Sequence, residues 1–296
     1  MKLCRFDQVR LGLVTDDGLE VIDVTSALES LPSLKWPLPY GDPLIAHLDE
    51  LRPQIAECGL KGPRLPIDAV QFDSPVATPS KIIAAPVNYA KHLAEARADK
   101  GINFGVAQRR IDQYGLFLKA ASCLVGPSHG VYLPTTDRRI DHELELAVVI
   151  GKRGRDIARA HALEYVAGYA LALDMTIRGE EDRSWRKSHD SFAVLGPWLV
   201  TADEIPDPGA LEFSLVIGQQ CRQAANTRDL IFDVPRLIEY ASATYTLHPG
   251  DIIMTGTPEG VGPVAAGDIM KCTMSGIGSM SVAVHAMPYP APSATI

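Results

Sequence analysis

The sequence predicts a mainly β, or mixed α+β, fold. Short β-type apolar runs outnumber helical segments, and they do not alternate with helices as a doubly wound α/β sheet requires. Two β-type runs within residues 9–24 flank Asp16, Asp17 and Gly18, which is a strong turn signal between hairpin strands. We therefore expect a sheet-rich chain that begins with a β-hairpin.

A small N-terminal unit is predicted before about residue 70. After the hairpin, residues 44–60 have helical character, and Pro53 is expected to break this helix because proline removes a backbone donor. Residues 62–81 are rich in proline and are typical of a connector. These features predict a small α+β domain over 1–70 and a larger domain over 71–296.

Most predicted elements after residue 70 are strands. The apolar, β-type segments lie at 81–85, 115–119, 143–150, 165–174, 213–217, 251–255 and 269–273. Helical segments are predicted at 89–100 and 235–243.

The composition excludes several classes of protein. The 296 residues carry a formal net charge of −8, which argues against a general nucleic-acid binder. No uncharged apolar run reaches about 18 residues, so no membrane span is expected, and the N-terminus has no secretory signal pattern. The five cysteines include no C-x-x-C pair, which fits reduced thiols in the cytoplasm.

Glu143 and Glu145 give the sharpest chemical signal. In a strand, positions i and i+2 face the same side, so both carboxylates would lie beside an apolar core and need neutralisation. Basic side chains could supply it, and so could Mg²⁺, Ca²⁺ or Mn²⁺, which prefer oxygen ligands. Alternatively, the strand lies at a sheet edge and both side chains are solvated.

Asp174 is the third candidate metal ligand. It ends the apolar run VAGYALAL, where an unpaired carboxylate is unexpected, and it would complete an open site with positions left for water or substrate. The alternative is a helix N-cap, since Asp is common at that position.

His92 and Glu95 are candidates for acid–base chemistry, because their i,i+3 spacing on a predicted helix puts them on one face. A carboxylate beside an imidazole fixes its tautomer, as a base that activates water requires. A solvated helix face explains the spacing equally well. Lys187 lies in a polar segment and could be an ordinary surface lysine.

From residue 81 to about 284 the chain resembles the fumarylacetoacetate hydrolase family. The resemblance covers about two thirds of the chain and consists of ordered motifs: VNYAKHLAE, GLFLKAAS, DHELELAVVIGKRGRDI, YVAGYALALDMTIR, RKSHDSFAVLGPW, TLHPGDIIMTGTPEGVG and a late GIG turn. The first seventy residues are similar to the small leading domain of the longer family members.

The resemblance implies a β-roll catalytic domain, usually in a homodimer, that binds Mg²⁺ or Mn²⁺ and a small 2-oxo acid. The metal ligands that it implies are Glu143, Glu145 and Asp174. The implied catalytic residues are His92, Glu95 and Lys187, and the implied substrate contacts are Arg178 and Thr257. The implied reaction is hydrolytic C–C cleavage of a 2,4-dioxo acid (an acylpyruvate) in the breakdown of aromatic compounds or sugar acids. Decarboxylation or isomerisation of a related 2-oxo acid, or non-catalytic binding of a small acid, are the alternatives.

The chain departs from the family pattern at two positions. Gly179 and Glu181 stand where Asp and Gln are usual, and a glutamate would repel a second substrate carboxylate unless a cation lies beside it. Residues 92–114 are polar and charged, with Gly101 and Gly105 as flexible points, which predicts a lid that orders over the site when a ligand binds.

Overall fold

The structure, a computed structural model, describes residues 1–287. These residues form twenty β-strands: β1 (Lys2–Phe6), β2 (Arg10–Val14), β3 (Glu20–Asp23), β4 (Arg64–Pro66), β5 (Phe72–Asp73), β6 (Ile82–Ala84), β7 (Phe117–Lys119), β8 (Leu124–Val125), β9 (Val131–Leu133), β10 (Ile140–His142), β11 (Leu144–Ile150), β12 (Val166–Asp174), β13 (Thr176–Ile177), β14 (Ala193–Thr201), β15 (Glu212–Ile217), β16 (Gln220–Asn226), β17 (Ile252–Met254), β18 (Gly262–Pro263), β19 (Ile269–Met274) and β20 (Gly278–Ala286).

Seven α-helices lie between the strands. They are α1 (Pro43–Ala46), α2 (Leu48–Lys61), α3 (Ala90–Ala98), α4 (Lys100–Asn103), α5 (Ile111–Tyr114), α6 (Arg183–Lys187) and α7 (Val234–Thr244). Short 3-10 helices occur at Thr25–Ser30, Ile67–Ala69, Ala121–Cys123, Pro127–His129, Arg159–Tyr165, Ala202–Glu204 and Thr227–Asp229. The predicted mixed α+β, strand-rich class is confirmed.

Three sheets organise these strands. The largest has twelve strands, in the order β4-β3-β2-β1-β14-β12-β11-β17-β6-β7, with β5 beside β1 and β8 beside β14. Two smaller sheets have the orders β13-β10-β18 and β16-β15-β19-β20-β9. The predicted N-terminal hairpin is present as β2 and β3, which pair antiparallel.

The N-terminal strands belong to the same large sheet as the rest of the chain, because β1 pairs antiparallel with β14. The division into domains 1–70 and 71–296 stays a prediction, and residues 288–296 of the second domain lie outside the described residues. The helix expected to break at Pro53 does not do so, since α2 runs through Pro53. The break lies at His47 instead, between α1 and α2. Pro53 is the sixth residue of α2 and lacks the backbone amide that would donate within the helix. The helix nevertheless continues, because burial of Leu48, Leu51 and Ile55 anchors it.

Strand β11 occupies the middle of the large sheet, paired with β12 on one side and β17 on the other. All seven of its residues are buried. Its side chains alternate between two apolar clusters, with Leu144 and Leu146 on one face and Ala147 and Val149 on the other. The alternative that this strand lies solvated at a sheet edge is therefore wrong.

Candidate active site

The three predicted carboxylates meet at one end of β11 and β12. Residue Glu145 pairs with Ala172, and Asp174 lies two positions beyond Ala172, so both project from the same sheet face. Glu143 lies directly before β11, and its carbonyl accepts the Asp174 amide at 2.9 Å. One oxygen from each of Glu143, Glu145 and Asp174 lies within 4.8 Å of the others. The pleat thus brings together residues that are 31 positions apart.

Two buried lysines form ion pairs with two of these carboxylates, Glu143 and Asp174. Lys187 Nζ donates to Glu143 Oε2 at 2.6 Å and to Asp174 Oδ2 at 2.7 Å. Lys119 Nζ donates to Asp174 Oδ1 at 2.5 Å and to the Phe192 carbonyl at 3.1 Å. Since Lys187 is only 5% exposed, the alternative of an ordinary surface lysine is wrong. The N-cap alternative for Asp174 is also wrong, because its oxygens accept from lysines and no helix follows it.

Arg178 lies on the other side of Glu143. Its Nη2 donates to Glu143 Oε1 at 3.0 Å, and its Nε donates to Asp141 Oδ2 at 2.8 Å. Asp141 is fully buried and also accepts two hydrogen bonds from Arg139. Arg178 is therefore committed to carboxylates of the protein, and its predicted contact with substrate would have to use its remaining donors.

Glu145 is the carboxylate that the protein leaves without a cationic partner. Within residues 1–287, no lysine, arginine or histidine nitrogen lies within ion-pair distance of it, and it accepts only the Gly256 amide, at 2.6 Å. Burial, and then the negative charge of Asp174, raises the pKa of Glu145 well above its ordinary value. Burial would do the same to Glu143, but Lys187 and Arg178 outweigh it and hold the pKa of Glu143 well below its usual range.

This donor set fits a hard divalent cation. A cluster of buried oxygen donors, in which Glu145 has no cationic partner among the described residues, is the environment that Mg²⁺, Mn²⁺ or Ca²⁺ takes, whereas zinc favours nitrogen and sulfur. The residues that would hold the cation are Glu143, Glu145 and Asp174.

The His92–Glu95 pair lies on α3 and faces the same cavity. His92 is 6% exposed, and its Nδ1 lies 2.9 Å from Glu95 Oε2. The other oxygen of Glu95 accepts the Gly260 amide at 2.9 Å, which fixes the carboxylate at both ends. The solvated-face alternative is therefore wrong for His92. With Nδ1 held by Glu95, Nε2 is the ring nitrogen left for a reactant.

Thr257 is held by Gln223, a residue that the sequence analysis did not single out. The Thr257 hydroxyl donates to the Leu144 carbonyl at 2.9 Å and accepts from Gln223 Nε2 at 2.7 Å. The amide oxygen of Gln223 accepts the Leu144 amide at 2.9 Å and faces His142 Nδ1 at 3.2 Å. Because the hydroxyl proton of Thr257 is already used, its hydroxyl can only accept from a substrate.

A cavity of about 500 Å³ joins these groups. Its lining includes six of the eight predicted site residues, namely His92, Glu143, Glu145, Arg178, Lys187 and Thr257. Asp174 and Glu95 stand directly behind this lining, through their contacts with Lys187 and His92. The structure brings all eight residues together, while their individual roles stay predictions.

The structure shows which cation lies beside Glu181, the residue that departs from the family pattern. Arg138 donates to both oxygens of Glu181 at 2.8 Å, and this contact lowers the pKa of Glu181. The cation that a glutamate was expected to need is therefore Arg138. At Gly179, a side chain would meet Arg138 Nη2 at 2.1 Å, so glycine leaves room for the guanidinium.

Several other charged residues of the site were also missed from the sequence. Lys119 lies within the GLFLKAAS motif and ends strand β7, and an apolar strand that ends in lysine was a usable signal. Arg138 and Arg139 carried no such signal, because adjacent arginines in a loop are usually exposed. Arg183 and Arg186 follow the run of acidic residues after Gly179, and only the fold shows that they line the cavity.

Comparison with known proteins places this site in a family. Residues 81–285 match the fumarylacetoacetate (FAA) hydrolase C-terminal family. The chain is 55% identical to the maleylpyruvate hydrolase of Aquipseudomonas alcaligenes over 289 residues, which cover 97% of this chain and 100% of that protein. It is 36% identical to the bovine mitochondrial oxaloacetate tautomerase FAHD2A, over 90% of this chain and 85% of that protein.

The fold agrees with this relationship. The crystal structure of maleylpyruvate hydrolase from Sphingobium sp. SYK-6, in complex with manganese(II) and pyruvate, superimposes with a TM-score of 0.82 at 41% identity. The match covers 97% of this chain and 100% of that one. Both the sequence and the three-dimensional arrangement therefore lead to one conclusion: this chain is a member of the fumarylacetoacetate hydrolase family.

Proposed function

We propose that this protein is a divalent-metal-dependent hydrolase that cleaves a carbon–carbon bond of an acylpyruvate of the maleylpyruvate type. The observation that carries the proposal is the convergence, in one cavity, of a buried carboxylate cluster and the His92–Glu95 pair. The relatives support it, since two maleylpyruvate hydrolases match nearly the whole chain. Breakdown of aromatic compounds is the metabolic setting that this substrate type suggests.

The proposed cofactor is Mg²⁺ or Mn²⁺, with Ca²⁺ as a further candidate, held by Glu143, Glu145 and Asp174. When bound, such a cation polarises the oxygens of a 2-oxo acid and stabilises the enolate that forms when the C–C bond breaks. Manganese(II) in the Sphingobium enzyme supports the assignment of a divalent metal.

His92 is the proposed base. Its Nε2 takes a proton from water, and the resulting hydroxide attacks the carbonyl carbon of the acyl group. The bond between that carbon and the pyruvate methylene then breaks, its electron pair stays on the pyruvate unit, and the acyl group leaves as a carboxylic acid. The proton that His92 took from water goes to the methylene carbon and completes pyruvate. Glu95 is the positioning residue of this pair, because its two oxygens hold the imidazole and the Gly260 amide.

Lys187 is proposed to stabilise the developing enolate, because its ammonium lies buried between Glu143 and Asp174, where burial strengthens its field. Arg178 and Thr257 are proposed to contact the substrate through their remaining donors and acceptors. Arg178 directly follows β13, Thr257 lies in the segment after β17, and Lys187 ends helix α6, so each side chain projects from or beside a regular element, which suits a preorganised site.

A second candidate function is isomerisation or decarboxylation of a related 2-oxo acid. The bovine oxaloacetate tautomerase favours it, because that relative acts on a 2-oxo acid without cleaving it hydrolytically. Such a reaction needs the cation and Lys187 but no activated water. Non-catalytic binding of a small acid is the remaining alternative. The His92–Glu95 pair, which is hydrogen-bonded at both ends, supports the hydrolase over it, because binding alone requires no oriented base.

The test is to assay metal-loaded protein with maleylpyruvate, with acetylpyruvate and with oxaloacetate. Release of pyruvate from the two acylpyruvates, faster than any change in oxaloacetate, supports the hydrolase. Rapid tautomerisation or decarboxylation of oxaloacetate, without cleavage of either acylpyruvate, would replace it with the second candidate.

The assembly and the compartment are proposals of the same kind. We infer a homodimer, as is usual in the family, and sedimentation of the purified chain tests it. We also infer a cytoplasmic location, which the five unpaired cysteines support. Within the described part of the chain, no helix is both long and apolar enough to span a membrane.

A further inference from the structure

Helix α6 presents three cations toward the active-site cavity. Arg183, Arg186 and Lys187 all line it, and their i, i+3 and i+4 spacing puts them on one helix face. Lys187 contacts the carboxylate cluster, whereas Arg183 lies one helical turn away, about 6 Å along the axis. The positive charge therefore extends away from the carboxylate cluster along the lining of the cavity.

Arg183 has no anionic partner among the residues that the structure describes. Its guanidinium lies over the rings of Tyr114, at 4.6 Å from the centroid, and Phe117, at 5.5 Å. Of the ion pairs formed within residues 1–287, none involves Arg183. These contacts with the two rings hold the half-buried Arg183 side chain in place, while its N–H groups remain free to donate.

Arg186 adds charge that is likewise not neutralised. Within residues 1–287 it donates only to backbone carbonyls, of Glu181 at 2.9 Å and of Ile177 at 3.3 Å. Burial, followed by the positive charges of Arg178 and Arg183, lowers the pKa of Arg186. The guanidinium groups thus repel one another in a partly desolvated site, and a bound anion would relieve that repulsion.

The nearby acidic residues do not supply this anion. Glu181 is occupied by both donors of Arg138, on the cavity rim. Glu180 lines the cavity but is exposed, and it forms no ion pair with Arg183 or Arg186 in the described structure. The pairing with Arg138 removes the repulsion that Glu181 would otherwise exert on a second substrate carboxylate.

We propose that Arg183, supported by Arg186, binds a carboxylate at the end of the substrate opposite the 2-oxo acid. The inference rests on the proposed function, and it assigns to Arg183 the recognition of the second carboxylate that a maleylpyruvate-type substrate carries. A guanidinium held by aromatic rings suits this task because its donors match the two oxygens of a carboxylate. Arg183 is thus the residue that separates dicarboxylic from monocarboxylic substrates.

Equilibrium binding tests this proposal without depending on hydrolysis. The probes are 2-oxopimelate and 2-oxoheptanoate, which have the same chain length and differ only in the second carboxylate, each titrated calorimetrically into Mn²⁺-loaded protein. The wild type should prefer 2-oxopimelate by about 10- to 100-fold, as a charge-assisted hydrogen bond provides. Arg183→Gln should remove most of this preference, and Arg183→Lys should retain part of it.

The matched control is Arg64→Gln, an exposed arginine paired with Glu20 far from the cavity, which should keep the wild-type preference. Equal binding of the two acids by the wild type would overturn the proposal, and so would a preference that survives in well-folded Arg183→Gln protein. If Arg183→Gln does not fold, Arg183→Lys decides: a preference clearly smaller than that of the wild type supports the proposal, and a preference equal to that of the wild type overturns it.

Parallel assays with maleylpyruvate and acetylpyruvate separate this inference from the proposed function. Hydrolysis of both with no preference in binding would leave the proposed function standing and overturn the role of Arg183. A binding preference without hydrolysis of either acylpyruvate would support the carboxylate subsite and contradict the hydrolase. Failure of both 2-oxo acids to bind, together with no hydrolysis of either acylpyruvate, would overturn the two together.

Discussion

At the scale of single residues, Glu145 explains why the site needs a cation. Glu143 and Asp174 each accept hydrogen bonds from lysine or arginine, but among the described residues Glu145 has only the Gly256 amide as a donor. Leaving an ionised carboxylate buried without a positive partner is costly, so without metal the proton would stay on Glu145. Metal binding should therefore release a proton, and it should weaken as the pH falls.

The role of His92 can be tested by substitution. His92→Ala should lower hydrolysis of an acylpyruvate by roughly 10²–10⁴-fold, the usual contribution of a positioned general base. Metal affinity should change little, because His92 is not one of the proposed ligands. Oxaloacetate turnover, which needs no activated water, should be affected less.

Glu95→Gln is the graded companion to that variant. An amide can still accept a hydrogen bond from the imidazole but stabilises imidazolium less, so we expect a smaller loss of hydrolysis and a shifted pH–rate profile. Steady-state rates for both reactions at saturating Mg²⁺ measure these effects. Acylpyruvate hydrolysis that is intact in His92→Ala would show that the pair is not the catalytic base.

Stability should depend on pH through His142. Burial lowers the pKa of this imidazole below its ordinary value of 6.5, although Gln223 opposes the effect. The unfolded chain then binds more protons than the folded one below about pH 6.5, so the stability that neutral His142 contributes is lost as the pH falls through this range.

Urea unfolding near pH 7.5 and near pH 5.5 measures this dependence. The loss of unfolding free energy between the two conditions should be smaller in His142→Phe than in the wild type. His161→Gln, which alters an exposed imidazole, should behave like the wild type. An identical pH dependence in His142→Phe and the wild type would mean that His142 does not contribute.

At the scale of elements, the loop after β17 anchors α3. Gly260 holds Glu95 through its amide and has a φ of +92°, and an added Cβ would lie 1.9 Å from the Arg222 carbonyl oxygen. Gly267 has nearly the same φ, +96°, but has open space around it. A comparison of substitutions at Gly260 and Gly267 therefore separates the strain of the backbone dihedral from the steric conflict of the added Cβ.

Gly260→Ala should therefore cost more stability and activity than Gly267→Ala. Both variants should show the strain of an unfavourable backbone conformation, about 1–3 kcal/mol. Only Gly260→Ala should also displace Glu95 and reduce kcat. Thermal unfolding and steady-state kinetics of the two proteins measure this, and equal kcat values would mean that the Gly260 amide does not position Glu95.

Residues 92–114, which span most of α3 together with α4 and α5, form the predicted lid. Only a few bonds fix this segment to the rest of the chain, among them Glu95 to the Gly260 amide and Asp99 Oδ2 to Arg139 Nη1 at 2.8 Å. We expect oxalate with Mn²⁺ to increase hydrogen-exchange protection across 92–114. Helix α2 should show no change, and equal protection of the lid with and without oxalate would rule out gating.

Local patterns predicted most of the elements, and the hydrophobic periodicity of β11 and β12 placed Glu143, Glu145 and Asp174 correctly at their ends. The break assigned to Pro53 failed because the burial of neighbouring apolar residues outweighed a local rule. Arg183 and Gln223 could not be found in this way, since their roles depend on contacts across long sequence separations.

At the scale of the whole molecule, the large sheet explains how the site is assembled. Its central strands β11 and β14 are buried along their full lengths, and β12 is buried except at Ala167, so the carboxylates stand on a rigid base. The N-terminal strands extend the same sheet, because β1 pairs with β14. This pairing joins distant parts of the chain and could not be predicted from local sequence patterns. A cation at the carboxylate cluster should stabilise this arrangement, because it binds the folded chain only.

Release of pyruvate from maleylpyruvate by protein stripped of metal and then refilled with Mn²⁺ or Mg²⁺ tests the central claim most directly. We expect activity to fall to background on stripping and to return on refilling. In Glu145→Gln, which keeps the shape of the side chain and removes its charge, much more metal should be needed. Activity that survives exhaustive chelation, or a refilled protein that releases no pyruvate, would contradict the account.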